Sequence, residues 1–169
     1  MKKVQFISIL LFFILLHGGN ISLYARKNSS FFIIGPSISK HFSRSSYDFN
    51  QWHPGFGAEF QFSLKKWVLG FHGYYMIKDS LNHNAYWTGA TAGYRIGSKK
   101  KFWCEPFVII GGIKKREYHS GKFGPFLLPV LSVGYKGAGF NISYIPRLPG
   151  VTDPILVFQI KLRILSFQL

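Results

Sequence analysis

Acidic side chains are scarce in this chain: of 169 residues six are Asp or Glu, against 21 Lys and Arg, for a formal charge of +15. Cysteine is scarcer still. Cys104 stands alone, which excludes an internal disulfide and any cluster of thiolate metal ligands. Past residue 25 long apolar runs are missing as well. The longest stretch there without a charged side chain is 80–94, which holds Asn82, His83 and Asn84. A membrane helix of about 20 apolar residues has no place in it. What the chain does have is 47% hydrophobic and 18% aromatic residues with 18 glycines. That composition excludes a disordered basic tail, and the length allows one domain.

A strong basic excess points first to nucleic acid. The first 25 residues point elsewhere. Lys2 and Lys3 precede a largely apolar run over 4–16, and Ala25 offers a small residue for cleavage before Arg26. The run is too short for a spanning helix and suits a secretory leader, so 1–25 is expected to be a signal peptide and 26–169 the mature domain. The 21 basic residues less Lys2 and Lys3 leave 19 against 6 in the mature chain, a balance of +13. An exported protein has little access to chromosomal DNA, and no nucleic-acid partner is expected.

The mature chain alternates. Phe56, Ala58, Phe60, Phe62 and Leu64 interleave with Gly57, Glu59, Gln61 and Ser63, a parity that a helical face of period 3.6 does not keep over nine positions. The same alternation runs from Trp67 towards Lys78, from Tyr86 to Ile96, and from Phe158 to Ile164. Weaker strand patterns cover 31–42, 102–113, 126–135 and 138–145, separated by turn signals such as Lys136-Gly137 and Gly97-Ser98. A soluble β-sandwich shares such alternation. Two features favour a membrane barrel: Trp67, Tyr75, Tyr86 and Tyr94 stand at the ends of apolar faces, as in interfacial girdles, and the opposite faces are polar or glycine-rich. The expected fold is all-β, an eight-stranded antiparallel transmembrane barrel in the outer membrane of a Gram-negative-type envelope, and a monomer. With both termini periplasmic, 42–54, 79–84, 114–123 and 146–153 face outward, and 65–66, 97–101 and 136–137 are periplasmic turns.

Prolines lack the ladder donor. Pro129 and Pro146 would therefore interrupt pairing in the sixth and seventh strands, and a weakened seam is a route for a lipid tail to pass sideways into the lumen. For Pro54, Pro149 and Pro154, loop geometry alone accounts for the residue equally well.

The stretch Leu127-Leu128-Pro129-x-x-Ser132-Val133-Gly134-Tyr135, then Phe140 and Tyr144-Ile145-Pro146, resembles the late strands of the PagP-type lipid A palmitoyltransferases. Lys78-Asp79-Ser80 and the pair Pro36 and His41 resemble the same family, and the similarity spans 31–164. The resemblance implies a barrel whose upper lumen holds one acyl chain. It also implies transfer of a fatty acyl group from a phospholipid donor to lipid A of lipopolysaccharide, with no cofactor and no metal. It carries the family's essential residues onto His41, Asp79 and Ser80, and its lateral openings onto Pro36 and Pro54 as well as Pro129 and Pro146. Acyl transfer to an alcohol needs a base, a group that holds the base and a donor for the developing oxyanion. The expected roles are His41 as base, Asp79 orienting it, and Ser80 as hydrogen-bond donor or nucleophile.

Parity places Ser80 on the lumen side and Asp79 on the lipid side, so the strand must turn at the rim for these groups to meet. Arg44, Lys114, Lys115 and Arg116 are expected to meet lipid A phosphates. The family's floor glycine corresponds to Thr91, or to Arg95 in the other alignment, so a pocket shallower than palmitate needs is expected. The family's amphipathic helix before the first strand is expected to be missing, since only 26–30 intervene. Without the resemblance, the rim residues read as solvated loop groups. The alternative function is then a non-enzymatic small outer-membrane barrel for envelope integrity or adhesion.

Overall fold

The computed structural model describes residues 28–42, 49–98, 101–146 and 154–168. The signal-peptide expectation over 1–25 and the phosphate contact assigned to Arg44 lie outside these. Eight long strands form among the described residues: β1 (Asn28–His41), β3 (Gly55–Leu64), β4 (Trp67–Met76), β5 (Ala85–Tyr94), β7 (Phe102–Lys115), β8 (Tyr118–Tyr135), β9 (Ala138–Ile145) and β10 (Ile155–Gln168). Two-residue segments β2 (Trp52–His53) and β6 (Ile96–Gly97) pair with β1 and β7 respectively.

Each long strand pairs antiparallel with its chain neighbour, and β10 returns to β1 from Asn28↔Gln168 to His41↔Ile155. The sheet closes on itself, which removes the free edge strands of an open sheet. Lys65 and Lys136, both at positive φ, make the tight lower turns with exposed side chains that tolerate the left-handed backbone.

Alternation decides which side faces what. Along β4 the residues Trp67, Leu69 and Phe71 point out, and Val68, Gly70 and His72 point in. Leu127 is 66% exposed and Phe71 63%. Among the described residues twenty-five large hydrophobic side chains are exposed, an apolar surface that suits hydrocarbon and would aggregate in water. The architecture is a closed, eight-stranded antiparallel barrel of the outer-membrane kind.

Inside, the lower half is filled by charge. Glu59 on β3 takes the Lys161 ammonium at 2.9 Å and the His72 imidazole at 3.2 Å. Gln61 donates to both Glu59 and Glu105. Arg95 pairs with Glu105 and donates to Ser63 at 2.7 Å. The Lys161 ammonium also lies over the rings of Phe32 and Trp103, at 4.5 and 5.2 Å. Buried charges stay ionised only when paired and hydrogen-bonded in this way. Trp103 closes the bottom, and its ring leaves no room for a Cβ at Gly134.

The upper half is different. Tyr74, Met76, Ala85 and Trp87 pack with Ile34, Ile113 and Phe126. A second apolar cluster of Phe107, Ile109, Leu128 and Val130 adjoins it.

Two features depart from the sequence-based expectation. The outer segment 114–123 is mostly strand: β7 runs to Lys115 and β8 starts at Tyr118, leaving Arg116 and Glu117 as the turn. His119, Ser120 and Gly121 take positive φ, so the chain arches between the pairs Lys115↔Tyr118 and Lys114↔Phe123 before the ladder resumes. Strand parity cannot register such an arch. The second departure concerns Asp79 and shapes the site described next.

Candidate active site at the upper rim

β4 ends at Met76, and the chain then turns inward. The Ile77 amide donates to the Pro54 carbonyl at 2.8 Å, and the Asp79 amide donates to the His83 carbonyl at 2.6 Å. Asp79 is therefore 2% exposed and Ser80 8% exposed, and both face the lumen. The lipid-side placement of Asp79 is thus corrected: parity stops applying once the ladder ends. Strapping the turn from above, the Asn50 amide donates to the Ser80 carbonyl at 3.0 Å, and the Asn50 side chain donates to the Asp79 carbonyl at 3.2 Å.

His41, the last residue of β1, comes to the same place. Its Nε2 lies 2.9 Å from Ser80 Oγ, and its ring stacks on Phe49 with centroids 4.2 Å apart. These two residues stand 39 apart in sequence and meet across the rim. Asp79 Oδ1 accepts the amides of Leu81 at 2.8 Å and His83 at 2.9 Å, so the carboxylate shapes its own turn. Lys115 Nζ stands 3.3 Å from Oδ2, a charge-pair distance without hydrogen-bond alignment. Asp79 thus meets both its own turn and the Lys115 ammonium.

Below this rim opens a cavity of about 90 Å³, lined by Met76, Trp87, Ile113, Phe126, Leu128 and Ile155 and bordered above by Asp79, Ser80 and Lys115. Its lower boundary is Trp87, stacked on His72, with Gln159 beside it. Thr91 is buried further down β5, beyond Gly89, and Arg95 lies in the charged network, so neither lines this cavity. The floor is a tryptophan whose inward direction parity gave but whose depth it did not.

The wall beside the cavity is incomplete. The β8–β9 ladder runs from Tyr135↔Ala138 to Val130↔Ser143, although β8 continues up to Tyr118 and β9 to Ile145. Among the described residues no rung joins them above that pair. The parting begins at Pro129 and is lined by Leu127, Leu128, Tyr144, Ile145 and Pro146 around a space of about 240 Å³. Pro36 marks a second break. The β1–β3 ladder stops at Ile34↔Gly57, and the β1–β10 register slips between Ile34 and Ser37. Pro54 lies at the other side of that break, between β2 and β3.

Of the expected phosphate contacts, Lys114 is exposed, Lys115 is drawn to Asp79 and Glu117, and Arg116 reaches the His83 ring at 2.9 Å. Among the described residues no group of three or more His, Cys, Asp or Glu could hold a metal ion.

No protein-family model matches the chain. None of the curated proteins matches it. Similar solved structures include that of Ail, the attachment invasion locus protein of Yersinia pestis, at 14% identity and a TM-score of 0.48, covering 82% of this chain and 99% of that one. Ail in complex with the heparin analogue sucrose octasulfate gives 13% and 0.47 with the same coverage. Ail in a phospholipid bilayer nanodisc gives 11% and 0.43, again with the same coverage. At these values the likeness lends no weight to any function.

Sequence reasoning did not single out His53 and Ser39. His53 is 1% exposed beside the cavity, its Nε2 2.7 Å from Ser39 Oγ and its Nδ1 3.1 Å from the Lys78 carbonyl. The signal available was parity: Ser39 and His41 share a face of β1.

Proposed function

We propose that this chain is an outer-membrane acyltransferase that moves a fatty acyl group from a phospholipid to lipid A. The observation that carries the reading is the His41 Nε2 to Ser80 Oγ contact of 2.9 Å at the mouth of an apolar cavity. An imidazole and a hydroxyl in hydrogen-bond reach supply a base and a nucleophile or donor. The cavity beneath takes an acyl tail, and the parting at Pro129 and Pro146 gives the tail a sideways entry from the bilayer. Asp79 and Lys115 hold the turn that presents Ser80, and the basic ledge of Lys114, Lys115 and Arg116 faces the acceptor's phosphates. The resemblance of these same positions to the PagP-type family supports the reading.

Trp87 sets the depth. A cavity of about 90 Å³ has room for roughly six water-sized groups, so the acyl chain accepted is shorter than palmitate. The N-terminal 25 residues act as an export signal, and the mature barrel works as a monomer.

A second reading is a non-enzymatic barrel for envelope integrity or adhesion. The small cavity favours it, as does the basic ledge, which suits polyanion binding without chemistry. Mass spectrometry of lipid A from a Gram-negative host expressing wild type, His41→Ala or Ser80→Ala separates the two. The enzyme adds an acyl chain that both variants fail to add, whereas three identical lipid A profiles leave the non-enzymatic barrel. Addition of palmitate with ordinary selectivity would remove the role given to Trp87.

A further inference from the structure

Among the described residues His41 and Ser80 are one of two hydroxyl–imidazole pairs at the rim. One step below His41 on the same face of β1, Ser39 Oγ lies 2.7 Å from Nε2 of His53, and both residues border the cavity that Ser80 borders. The other ring nitrogen of His53 is pinned. Nδ1 lies 3.1 Å from the Lys78 carbonyl, and a carbonyl can only accept, so Nδ1 carries the proton. In the neutral ring Nε2 then has a free lone pair, and the Ser39 hydroxyl donates to it. A serine donating to an imidazole that a third group orients is the arrangement of an activated nucleophile. Both side chains are buried, at 5% and 1% exposure, so the pair is held by packing as well as by hydrogen bonds.

Access comes through the lumen: Ser39 borders the upper cavity, which shares Phe126, Leu128, Ile145 and Ile155 with the space at the β8–β9 parting. Lys115 brings a cation to the same cavity, available to a carbonyl oxygen gaining charge.

We propose that Ser39 is a nucleophile, with His53 as its base, and that it carries the acyl group as an ester between donor and acceptor. Ser39 Oγ attacks the phospholipid ester carbonyl while its proton passes to His53 Nε2. The tetrahedral intermediate collapses with cleavage of the carbonyl–glycerol oxygen bond, and that oxygen takes the proton from Nε2 to leave as a lysophospholipid. The acceptor hydroxyl, deprotonated by His41, then attacks the Ser39 ester. Ser39 Oγ departs and takes a proton that water passes in through His53 Nε2, while the proton that His41 took from the acceptor returns to water, so both rings end neutral. This sequence rests on the acyltransferase reading. The arrangement at Ser39 and His53 is nonetheless chemically complete for ester cleavage without an acceptor.

The test treats the purified full chain in detergent micelles with a fluorophosphonate probe, locates the adduct by peptide mass spectrometry, and profiles lipid A from cells expressing the same variants. Far-UV circular dichroism melts check that each variant folds. The proposal expects the probe on Ser39, absent from Ser39→Ala, retained in Ser80→Ala, and formed about a hundredfold more slowly in His53→Gln. Labelling on Ser80, labelling that survives Ser39→Ala, or no labelling of the folded wild type overturns it. Lipid A acylation that persists in a folded Ser39→Ala overturns it while leaving the acyltransferase reading intact. Unmodified lipid A together with a labelled Ser39 overturns the acyltransferase reading and keeps the nucleophile.

Discussion

The lower and upper halves of the lumen are built from the same strands to opposite ends. Below, two carboxylates, a lysine and an arginine occupy the bore, with glutamine and serine hydroxyl groups taking up the remaining bonds. Above, aliphatic and aromatic side chains leave a cavity, and polar groups gather only at its mouth. The difference teaches that buried ion pairs and open space are stacked rather than mixed in this barrel. The filled half holds the wall in register, and the half with room carries the groups to which the proposed chemistry is assigned. Between them lies a layer of buried polar atoms without protein partners, among them His72 Nε2, Trp87 Nε1 and Thr91 Oγ1. Such groups are ordinarily met by ordered water, and the layer marks the boundary between the halves.

The sharpest way to break the lower half is Lys161→Ala. It leaves Glu59 buried and short of its cation, a change expected to cost about 3–5 kcal/mol in urea titrations of the barrel in lipid vesicles. Replacing Glu59 and Lys161 together by methionine should restore most of that loss. A single-variant loss below about 1 kcal/mol would mean that water already solvates the pair.

Removing the partition comes next. Trp87→Ala should cost about 3 kcal/mol, the low end for a buried tryptophan because one side of the ring already borders a cavity. In lipid A profiles the same variant should shift the acyl chain to greater length. An unchanged length distribution would place the floor elsewhere.

His41→Ala touches only the upper half. Acylation of lipid A should fall about a hundredfold, equivalent to about 2.7 kcal/mol of activation free energy, while the unfolding midpoint moves little. A variant that loses stability and activity together would undo the separation of the halves. The smallest effect belongs to Lys115→Ala, whose partly exposed pair with Asp79 is worth about 1 kcal/mol or less. It should lower acylation by a few-fold through loosening of the 79–83 turn, read as a change in rate with the melting curve nearly fixed.

The strands were legible because a two-residue period repeats along each one. The run from Phe56 to Leu64 declares its two faces without help from any neighbour, and β3 covers it. What parity could not show depends on contacts between distant parts of the chain. Lys161 and Glu59 are 102 residues apart, and nothing local says that they face each other across the bore. Parity alone put Asp79 on the lipid face, and the turn needed to bring it inward begins after Met76, where the ladder ends. His53 went unread for a similar reason: β2 is two residues long, and its partners come from β1 and from the turn after β4. His41 and Ser80 were legible only through family likeness, since a rim histidine and a rim serine have no pattern of their own.

The β8–β9 parting reaches only part of the way down the wall, as far as Val130↔Ser143. Mechanically the protein is a split collar. The unbroken rungs below fix its circumference, while the slotted end can widen or narrow without losing a backbone hydrogen bond. His41 and Ser39 stand on β1, joined to the β9 lip through β10, while Ser80 and the carbonyl that pins His53 belong to the turn after β4, joined to the β8 lip through β5 and β7. Spreading of the slot would therefore act on the two distances on which the proposed chemistry depends, and make the lateral pressure of the surrounding lipid a variable of that chemistry.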